Sequence, residues 1–446
     1  MALRAEDFLA AVVAAAEWGV GSAMKTKLVI FGITGDLSRR KLLPALRKIV
    51  ASGAGGDLRI IGVSRSEVNI KELAGPELSR ITSAVTMDLA EPSEYTALKR
   101  KIAPKEGEQT LIYLSVPPSA ATRIADNLGE AGINGESVRL LFEKPFGLDL
   151  ASATDMVERT GRYFSESQLY RIDHYLAKEM AQNIVAFRAS NAIFRQLWGG
   201  YGIEKIEIHA LESIGIVGRA QFYEQTGALR DVLQGHLMQL LSLILMDVPS
   251  RLDWSTVPDL RLQALRRIQP ADPSKSLRAQ YREYRQEVGV PASQVETFVR
   301  VELESSASNW ETVPLILTTG KAMDRKETEI NIYFKKGHAE QSNVLRFKIQ
   351  PDEGIEVNLF TKKPGYERVL EPQKLSYSYP EDADLPEAYE QVLVDAITCR
   401  KSIFTTGPEI IESWRILQPI LTEWSFAKED ITQYEQGASV EGILLQ

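Results

Sequence analysis

A short apolar run that ends in glycine is the feature that most constrains the fold of this chain. Residues 27–31 have the pattern of a buried strand, Gly32 and Gly35 follow, and a helical pattern runs over about 36–52, where Pro44 is expected to bend the helix. Glycines at such a turn let the backbone approach a pyrophosphate, and the helix N-terminus favours anions. The unit predicts a dinucleotide site, although Gly-x-x-Gly also fits an ordinary turn that binds nothing.

Three further apolar runs recur at the spacing of a parallel sheet flanked by helices. They cover 59–63, 110–114 and 137–142. Arg65 follows the first run, where an arginine accommodates the 2′-phosphate of NADP, so it favours NADP over NAD unless it is an ordinary solvated arginine. Lys144 follows the last run. Because ligands of open α/β sheets bind at the carboxyl ends of strands, Lys144 is placed to contact cofactor or substrate.

One of only four histidines lies in the segment YRIDHYLAKE at 170–179. A helical pattern over about 176–195 puts His174 at the approach to a helix and Lys178 in its first turn. A histidine and a lysine at a helix N-terminus form an anion site that suits phosphate best. Asp173 would repel the same anion, so we expect its carboxylate to serve another partner.

A second histidine, His236, lies in an apolar helical pattern over 227–241. On an α-helix, Asp231 and His236 would lie roughly 140° apart, so they should not pair with each other. We therefore expect Asp173 to orient His236, to stabilise its charged form and to raise its pKa. The alternative is a buried histidine whose ring bonds to a backbone carbonyl.

Seven stretches, in one order along residues 25–330, resemble the glucose-6-phosphate dehydrogenase family. They are VIFGITGDLSRRKLLPAL at 29–46, IIGVSRS at 60–66, LSVPPS at 114–119, LFEKPFGLDLASA at 141–153, YRIDHYLAKEMAQNI at 170–184, LESIGIVGRAQFYEQTGALRDVLQGHLMQLL at 211–241 and TTGKAMDRKETEI at 318–330. The RIDHYL and GALRD…H elements are highly specific, and the glycine turn is much less so. Matches beyond residue 330 are weak.

The resemblance implies oxidation of glucose 6-phosphate at C1 to 6-phosphogluconolactone, the first step of the oxidative pentose phosphate pathway, with hydride transfer to NADP. It makes His236 the general base that takes the proton of the C1 hydroxyl, with Asp173 paired to it. It assigns the substrate phosphate to His174, Tyr175 and Lys178, and the sugar to Glu212, Asp231, Lys321 and Lys326. It assigns the cofactor to Gly32, Thr34, Gly35, Asp36, Leu37, Arg65, Ser66, Asp88, Leu89 and Lys144.

Two residues depart from the usual family pattern. Ala177 stands where the family usually has glycine, and Gly235 stands where it usually has asparagine, just before His236. Ala177 adds a methyl group that could constrain the backbone near the phosphate. Gly235 lacks the amide and loosens a helix by about 1 kcal/mol relative to alanine, which affects the position of the base and not its identity.

Three parts of the chain are expected. Residues 1–24 are an N-terminal extension or a misassigned start, since Met24 stands just before the first strand. Residues 25–175 form an α/β, NADP-binding Rossmann-type domain, and residues 176–446 form an α+β domain for substrate binding and dimerisation. Alternating apolar runs predict a large, mostly antiparallel sheet in this last part. The resemblance implies a homodimer or a homotetramer.

The net charge of -8 and the single cysteine, Cys399, limit the classes of function. The charge gives no support to nucleic-acid binding, and one cysteine closes no internal disulfide, which favours a reducing, cytoplasmic compartment. We expect no membrane association and no metal, since no apolar run is long enough for a bilayer and no Cys/His cluster occurs. Another Rossmann-type sugar oxidoreductase, a catalytically silent NADP-binding sensor, and use of NAD beside NADP stay open.

Overall fold

The computed structural model describes residues 24–380 and 382–445, so nearly all of the expected N-terminal extension lies outside the described residues. The chain forms two compact units. One comprises the described residues up to Leu141 with Leu393–Arg400, and the other comprises Phe142–Val392 with the described residues from Lys401 onward. The domain boundary expected after residue 175 differs from this division and stays a prediction.

The first unit is built on five strands in the order β5-β4-β1-β2-β3. They are β1 Lys25–Phe31, β2 Leu58–Ser64, β3 Thr82–Thr86, β4 Glu108–Leu114 and β5 Val138–Phe142. The α-helices between them are Leu43–Ser52, Ile70–Leu78, Pro92–Ile102 and Pro118–Glu130. β1 pairs in parallel with β2 and β4, so that the buried Val29 lies opposite Ile61 and Ile112. This confirms the predicted Rossmann-type sheet.

The helix after the glycine turn is not the single bent α-helix expected from Pro44. Ser38–Leu42 is a π-helical segment, and the α-helix Leu43–Ser52 follows it with Pro44 in the first turn. Proline fits a first turn because the backbone N–H that it lacks is not needed there. A change of helix type therefore takes the place of a kink.

The second unit holds a nine-stranded sheet in the order β14-β13-β12-β11-β7-β10-β9-β8-β16, and an antiparallel pair of β6 Leu169–Ile172 with β15 Phe404–Thr405. The strands of the large sheet are β7 Ile203–Leu211, β8 Ser276–Tyr281, β9 Phe298–Leu303, β10 Leu315–Gly320, β11 Glu327–Phe334, β12 Val344–Gln350, β13 Gly354–Lys362, β14 Leu370–Ser378 and β16 Thr432–Tyr434. Two pairs, β7 with β10 and β8 with β16, are parallel, and the others are antiparallel. The predicted large, mostly antiparallel sheet is confirmed.

Helices pack against this sheet and against one another. The remaining helices are Leu150–Gly161, Glu166–Gln168, Glu179–Ser190, Ala192–Arg195, Ala220–Ala228, the π-helix Leu229–Leu237, Met238–Leu245, Trp254–Thr256, Val257–Arg266, Pro273–Lys275, Tyr284–Val288, Ala388–Ile397, Gly407–Phe426 and Val440–Leu444. The π-helix packs on β7 and β10, and the buried ion pair of Arg261 with Glu409, at 2.8 Å, joins two of the α-helices. In residues 24–380 and 382–445, we find no helix whose length and apolar character would let it span a bilayer.

Candidate active site

A cavity of about 340 Å³ in the second unit brings together most of the side chains predicted to serve the substrate. The predicted residues on its wall are Lys144, His174, Tyr175, Glu212, Asp231, His236 and Lys321. Lys178 and Lys326 do not line this wall. The volume and the mixture of charged and aromatic side chains are typical of a small-molecule site.

His236 and Asp173 form a buried pair at this cavity. His236 Nδ1 lies 2.5 Å from Asp173 Oδ1. The other ring nitrogen, Nε2, lies 2.9 Å from Lys144 Nζ, which also donates to the carbonyl of Asp231 at 2.8 Å. Because an ammonium group can only donate, the consistent arrangement has Nδ1–H donating to Asp173 and Nε2 accepting from Lys144. The imidazole is then neutral, with its lone pair on Nε2.

Burial and neighbouring charges set the protonation of this pair. Burial lowers the pKa of His236, Asp173 opposes that change, and Lys144 reinforces it. Asp173 raises the pKa of His236, as expected, but the lost hydration of the buried imidazolium outweighs the carboxylate, so the pKa lies below its ordinary value. Burial would raise the pKa of Asp173, but its interactions with His236 and Lys144 bring it below its ordinary value. The pair therefore holds a carboxylate and a neutral ring at neutral pH.

The π-helix Leu229–Leu237 places Asp231 and His236 on one wall of the cavity. The expected separation of roughly 140° was wrong, because it assumed an α-helix. In a π-helix the hydrogen bonds run from residue i to residue i+5, so residues five apart come close to alignment. The side chains still do not pair with each other, since His236 bonds to Asp173 and Lys144.

The start of the π-helix depends on Gly227 and Glu296. Gly227 has a φ of 65°, and a Cβ at this position would overlap the carboxylate of Glu296. That carboxylate accepts the N–H of Leu229 at 3.0 Å, and the Glu296 carbonyl accepts the N–H of Ala228 at 3.0 Å. Glycine is therefore required where the chain enters the segment that carries the histidine.

A turn over residues 173–178 replaces the predicted start of the next helix. Asp173 Oδ1 accepts the N–H of Tyr175 at 3.0 Å, and an aspartate that bonds two residues onward favours a turn. The α-helix begins at Glu179, so the start predicted at residue 176 was too early. Lys178 is the N-cap residue of this helix and does not lie in its first turn.

Lys178 belongs to a second cationic group. Its Nζ donates to Gln350 Oε1 at 2.6 Å and lies 5.3 Å from the centre of the Tyr175 ring. Burial lowers the pKa of Lys178, Glu353 opposes this, and the charge of Lys326 lowers it further. Lys178 and Lys326 are thus close enough for their charges to interact, and Tyr175 contacts both this group and the cavity.

Lys321 and Glu212, both predicted to bind the sugar, form an ion pair with each other on the cavity wall. Burial lowers the pKa of Lys321 to about 8. The lysine is therefore mostly charged at neutral pH, and the glutamate holds its ammonium group at the cavity.

Tyr389 and Arg219 also line the cavity wall, and neither was predicted to belong to the site. The ring of Tyr389 lies nearly parallel to His174, with centres 6.4 Å apart, and Arg219 lies 3.6 Å from the carboxylate of Asp231. Arg219 lies within the stretch 211–241 that resembles the family, and this position could have marked it as a candidate site residue. Tyr389 lies beyond residue 330, where no specific motif pointed to it.

A second cavity, of about 470 Å³, lies in the first unit at the carboxyl ends of β1, β2 and β4. The predicted cofactor residues on its wall are Gly32, Thr34, Gly35, Arg65, Asp88 and Leu89. Gly32 has a φ of 76°, and a Cβ there would overlap the carbonyl of Ser115. The absent side chain leaves the close backbone approach that a pyrophosphate needs, so this site fits a dinucleotide.

The wall of the second cavity differs in part from the prediction. The predicted cofactor residues that do not line it are Asp36, Leu37, Ser66 and Lys144. Asp36 instead pairs with Arg40 at 2.6 Å, and Lys144 lines the first cavity. Arg123, from the helix Pro118–Glu130, lines the second cavity and was missed, because no motif marks it.

Two groups in the described part of the chain have the donor types to hold a metal ion. They are Asp173, His174 and His236, and His209, Glu327 and Glu329. In the first group, Lys144 Nζ lies 2.9 Å from His236 Nε2. In the second, Glu327 pairs with Arg325 at 2.6 Å and Glu329 pairs with Arg346 at 3.1 Å. Cations of the protein thus already neutralise both groups, which disfavours a divalent ion.

Both halves of the chain match models of known protein families. Residues 29–183 match the model described as glucose-6-phosphate dehydrogenase, NAD binding domain. Residues 185–441 match the model described as glucose-6-phosphate dehydrogenase, C-terminal domain.

Curated proteins and solved structures agree with these matches. Glucose-6-phosphate 1-dehydrogenase of Chlamydia muridarum is 32% identical, over 92% of this chain and 92% of that protein. The enzyme of Mycolicibacterium smegmatis is 34% identical, over 92% and 93%. A structure of glucose-6-phosphate dehydrogenase in complex with its substrate glucose-6-phosphate has a TM-score of 0.87 at 29% identity, over 95% of this chain and 96% of that chain. The structure from Mycobacterium avium has a TM-score of 0.83 at 31% identity, over 94% and 95%.

Proposed function

The chain belongs to the glucose-6-phosphate dehydrogenase family, and on that premise we propose that it oxidises glucose 6-phosphate at C1 to 6-phosphogluconolactone with NADP. The observation that carries the proposal is the buried contact of His236 with Asp173 at the wall of a charged cavity. A neutral histidine held in one tautomer by a carboxylate is the arrangement that general-base chemistry requires.

We assign the proton transfer to His236. Its Nε2 lone pair takes the proton of the C1 hydroxyl, and Asp173 stabilises the imidazolium that forms. NADP, when bound, supplies the acceptor for the hydride that leaves C1. Burial lowers the pKa of His236, so the ring is neutral and ready to accept a proton at neutral pH.

Charge and placement support the assignment of the other substrate residues. Lys178, with Tyr175 and His174, is proposed to bind the phosphate, since Lys178 and Lys326 concentrate positive charge beside the Tyr175 ring. The sugar hydroxyls are assigned to polar groups on the cavity wall and to Lys326. The groups on the wall are Glu212, Asp231 and Lys321.

The cavity of the first unit is the proposed NADP site. Gly32 permits the approach of the pyrophosphate, and Arg65 is proposed to bind the 2′-phosphate. Arg123 on the same wall adds a second cation, which supports a preference for NADP over NAD without excluding NAD as a second cofactor. We assign cofactor contacts to Thr34, Gly35, Asp88 and Leu89 as well.

We propose that the enzyme is a cytoplasmic homodimer or homotetramer. We also propose that it needs no metal and binds neither nucleic acid nor membrane. Large apolar side chains exposed on β13 and β14 support assembly through the large sheet. They are Leu359, Leu370, Leu375 and Tyr377.

Initial rates of reduced-nicotinamide formation test the function directly. The purified chain is assayed with glucose 6-phosphate and with glucose, each with NADP and with NAD. We expect turnover of the phosphorylated sugar and a preference for NADP. A preference for free glucose would point to another sugar oxidoreductase. NADP binding without turnover of either sugar would point to a sensor.

A further inference from the structure

Gly235 borders the lysine that contacts the proposed base. It lies in the π-helix, one residue before His236. A Cβ built on Gly235 would lie 3.0 Å from Lys144 Nζ, 3.2 Å from Lys144 Cδ and 3.4 Å from Asp173 Oδ2. The first two distances are shorter than ordinary van der Waals contacts, so a side chain at residue 235 would require Lys144 to shift by a few tenths of an ångström.

The position of Lys144 matters because of what its ammonium group contacts. Its Nζ lies 2.9 Å from His236 Nε2 and 2.8 Å from the carbonyl of Asp231. Nε2 carries the lone pair that the proposed reaction uses. Lys144 therefore donates to the proton-accepting atom, and its positive charge opposes protonation of the ring.

We propose that Gly235 is a positioning residue, which leaves the room that Lys144 needs to hold its ammonium group against Nε2 of His236 and so to oppose protonation of the base. The proposal rests on the proposed role of His236.

Other charged and titratable groups also face His236. Asp173 lies at Nδ1, Asp231 precedes it by one π-helical turn, and Lys144 comes from the segment after β5. The rings of His174 and Tyr175 have centres 4.6 Å and 4.2 Å from that of His236. A methyl group at residue 235 would press mainly on Lys144, because its distance to Asp173 is an ordinary contact.

Gly235→Ala tests the proposal through the pKa of His236 in the substrate-free full chain. The chain has only four histidines, so ring signals of ¹³C-histidine-labelled protein can be assigned with single His→Gln variants. Displacing the ammonium group by a few tenths of an ångström should raise the pKa of His236 by about half a unit. Gly161→Ala is the matched control, since a Cβ on this helical glycine meets no atom within 4 Å.

Lys144→Met tests whether Gly235→Ala changes the pKa of His236 through Lys144. By itself, Lys144→Met should raise this pKa at least as far as Gly235→Ala does, and this result does not depend on how well the alanine variant folds. Combined with Gly235→Ala, it should leave no further shift. An unchanged pKa in Gly235→Ala, or an equal shift when Lys144 is absent, would overturn the proposal. The titration needs no turnover, so a chain inactive on glucose 6-phosphate would refute the proposed function without deciding this result.

Discussion

The carboxylate of Asp173 lies 2.5 Å from Nδ1 of His236, and the two residues are 2% and 5% exposed. Water cannot readily replace such a buried partner, so the carboxylate fixes both the tautomer and the orientation of the ring. The same carboxylate shapes the preceding turn by accepting the N–H of Tyr175. One side chain thus connects the expected phosphate segment to the expected base.

Asp173→Asn should lower kcat with glucose 6-phosphate on the order of 10²–10⁴-fold, because a neutral amide no longer stabilises the imidazolium. The asparagine oxygen can still accept the N–H of Tyr175, so the turn should persist and KM should change little. Steady-state kinetics checks both numbers. Asp155→Asn, at an exposed helical aspartate, is the control. If Asp173→Asn kept a nearly native kcat, the contact between Asp173 and His236 would have no role in the proton transfer.

The pH dependence of kcat/KM should have an acid limb at low pH. Burial lowers the pKa of His236 below its ordinary value of 6.5, and only the neutral ring can accept a proton. Activity should therefore hold down to a pH below 6.5 and then fall as pH drops through the lowered pKa. Asp173 raises the pKa of His236, so the limb of Asp173→Asn should lie at lower pH than that of the native enzyme. An acid limb of the native enzyme well above pH 6.5 would contradict the lowered pKa of a buried His236 that contacts Lys144.

The sequence predicted those parts of the molecule that local pattern determines. Apolar runs that end at glycine, proline or polar residues predicted β1, β2, β4 and β5. The strand-turn-helix order predicted a tight glycine turn, and Gly32 has the positive φ that such a turn requires. The contact between Asp173 and His236 could be inferred because neither residue had an evident side-chain partner in its own segment. A polar side chain without an evident partner nearby in the sequence thus indicated a partner far away in the sequence.

Other parts depend on packing and could not be predicted. The periodicity of residues 227–241 fits an α-helix, whereas Glu296, far along the chain, caps the start of a π-helix. The sign of the pKa change at His236 depends on full burial and on Lys144, neither of which spacing reveals. Tyr389 and Arg123 reach their cavities through tertiary structure alone.

Arg65→Ala should raise the KM for NADP about 10–100-fold, the loss expected for one charge-assisted hydrogen bond to a phosphate. The KM for NAD, which has no 2′-phosphate, should change little. Initial rates with each cofactor at saturating glucose 6-phosphate check this. Arg59→Ala, at an exposed arginine of β2, is the matched control. Equal losses with NADP and NAD would place Arg65 away from the 2′-phosphate.

Gly227→Ala should destabilise the fold by about 2–4 kcal/mol, because alanine is strained at a φ of 65° and its methyl group would overlap Glu296. Urea unfolding followed by circular dichroism gives the free energy of unfolding. Gly161→Ala, at a helical glycine without neighbours, should change stability by no more than about 1 kcal/mol. Equal stabilities of the two variants would show that residue 227 tolerates a side chain at the entry to the π-helix.

Lys178→Met should raise the KM for glucose 6-phosphate about 10–100-fold and leave kcat nearly unchanged, because the lost contact is made with a phosphate remote from the reacting C1. Any slow turnover of unphosphorylated glucose should be unaffected, since glucose has no group for Lys178 to bind. Lys205→Met is the matched control, because Lys205 also lies over a tyrosine ring, 4.3 Å from the centre of Tyr333. If Lys178→Met lowered kcat and left KM unchanged, or weakened both sugars equally, Lys178 would act on the position of His236 and not on the phosphate.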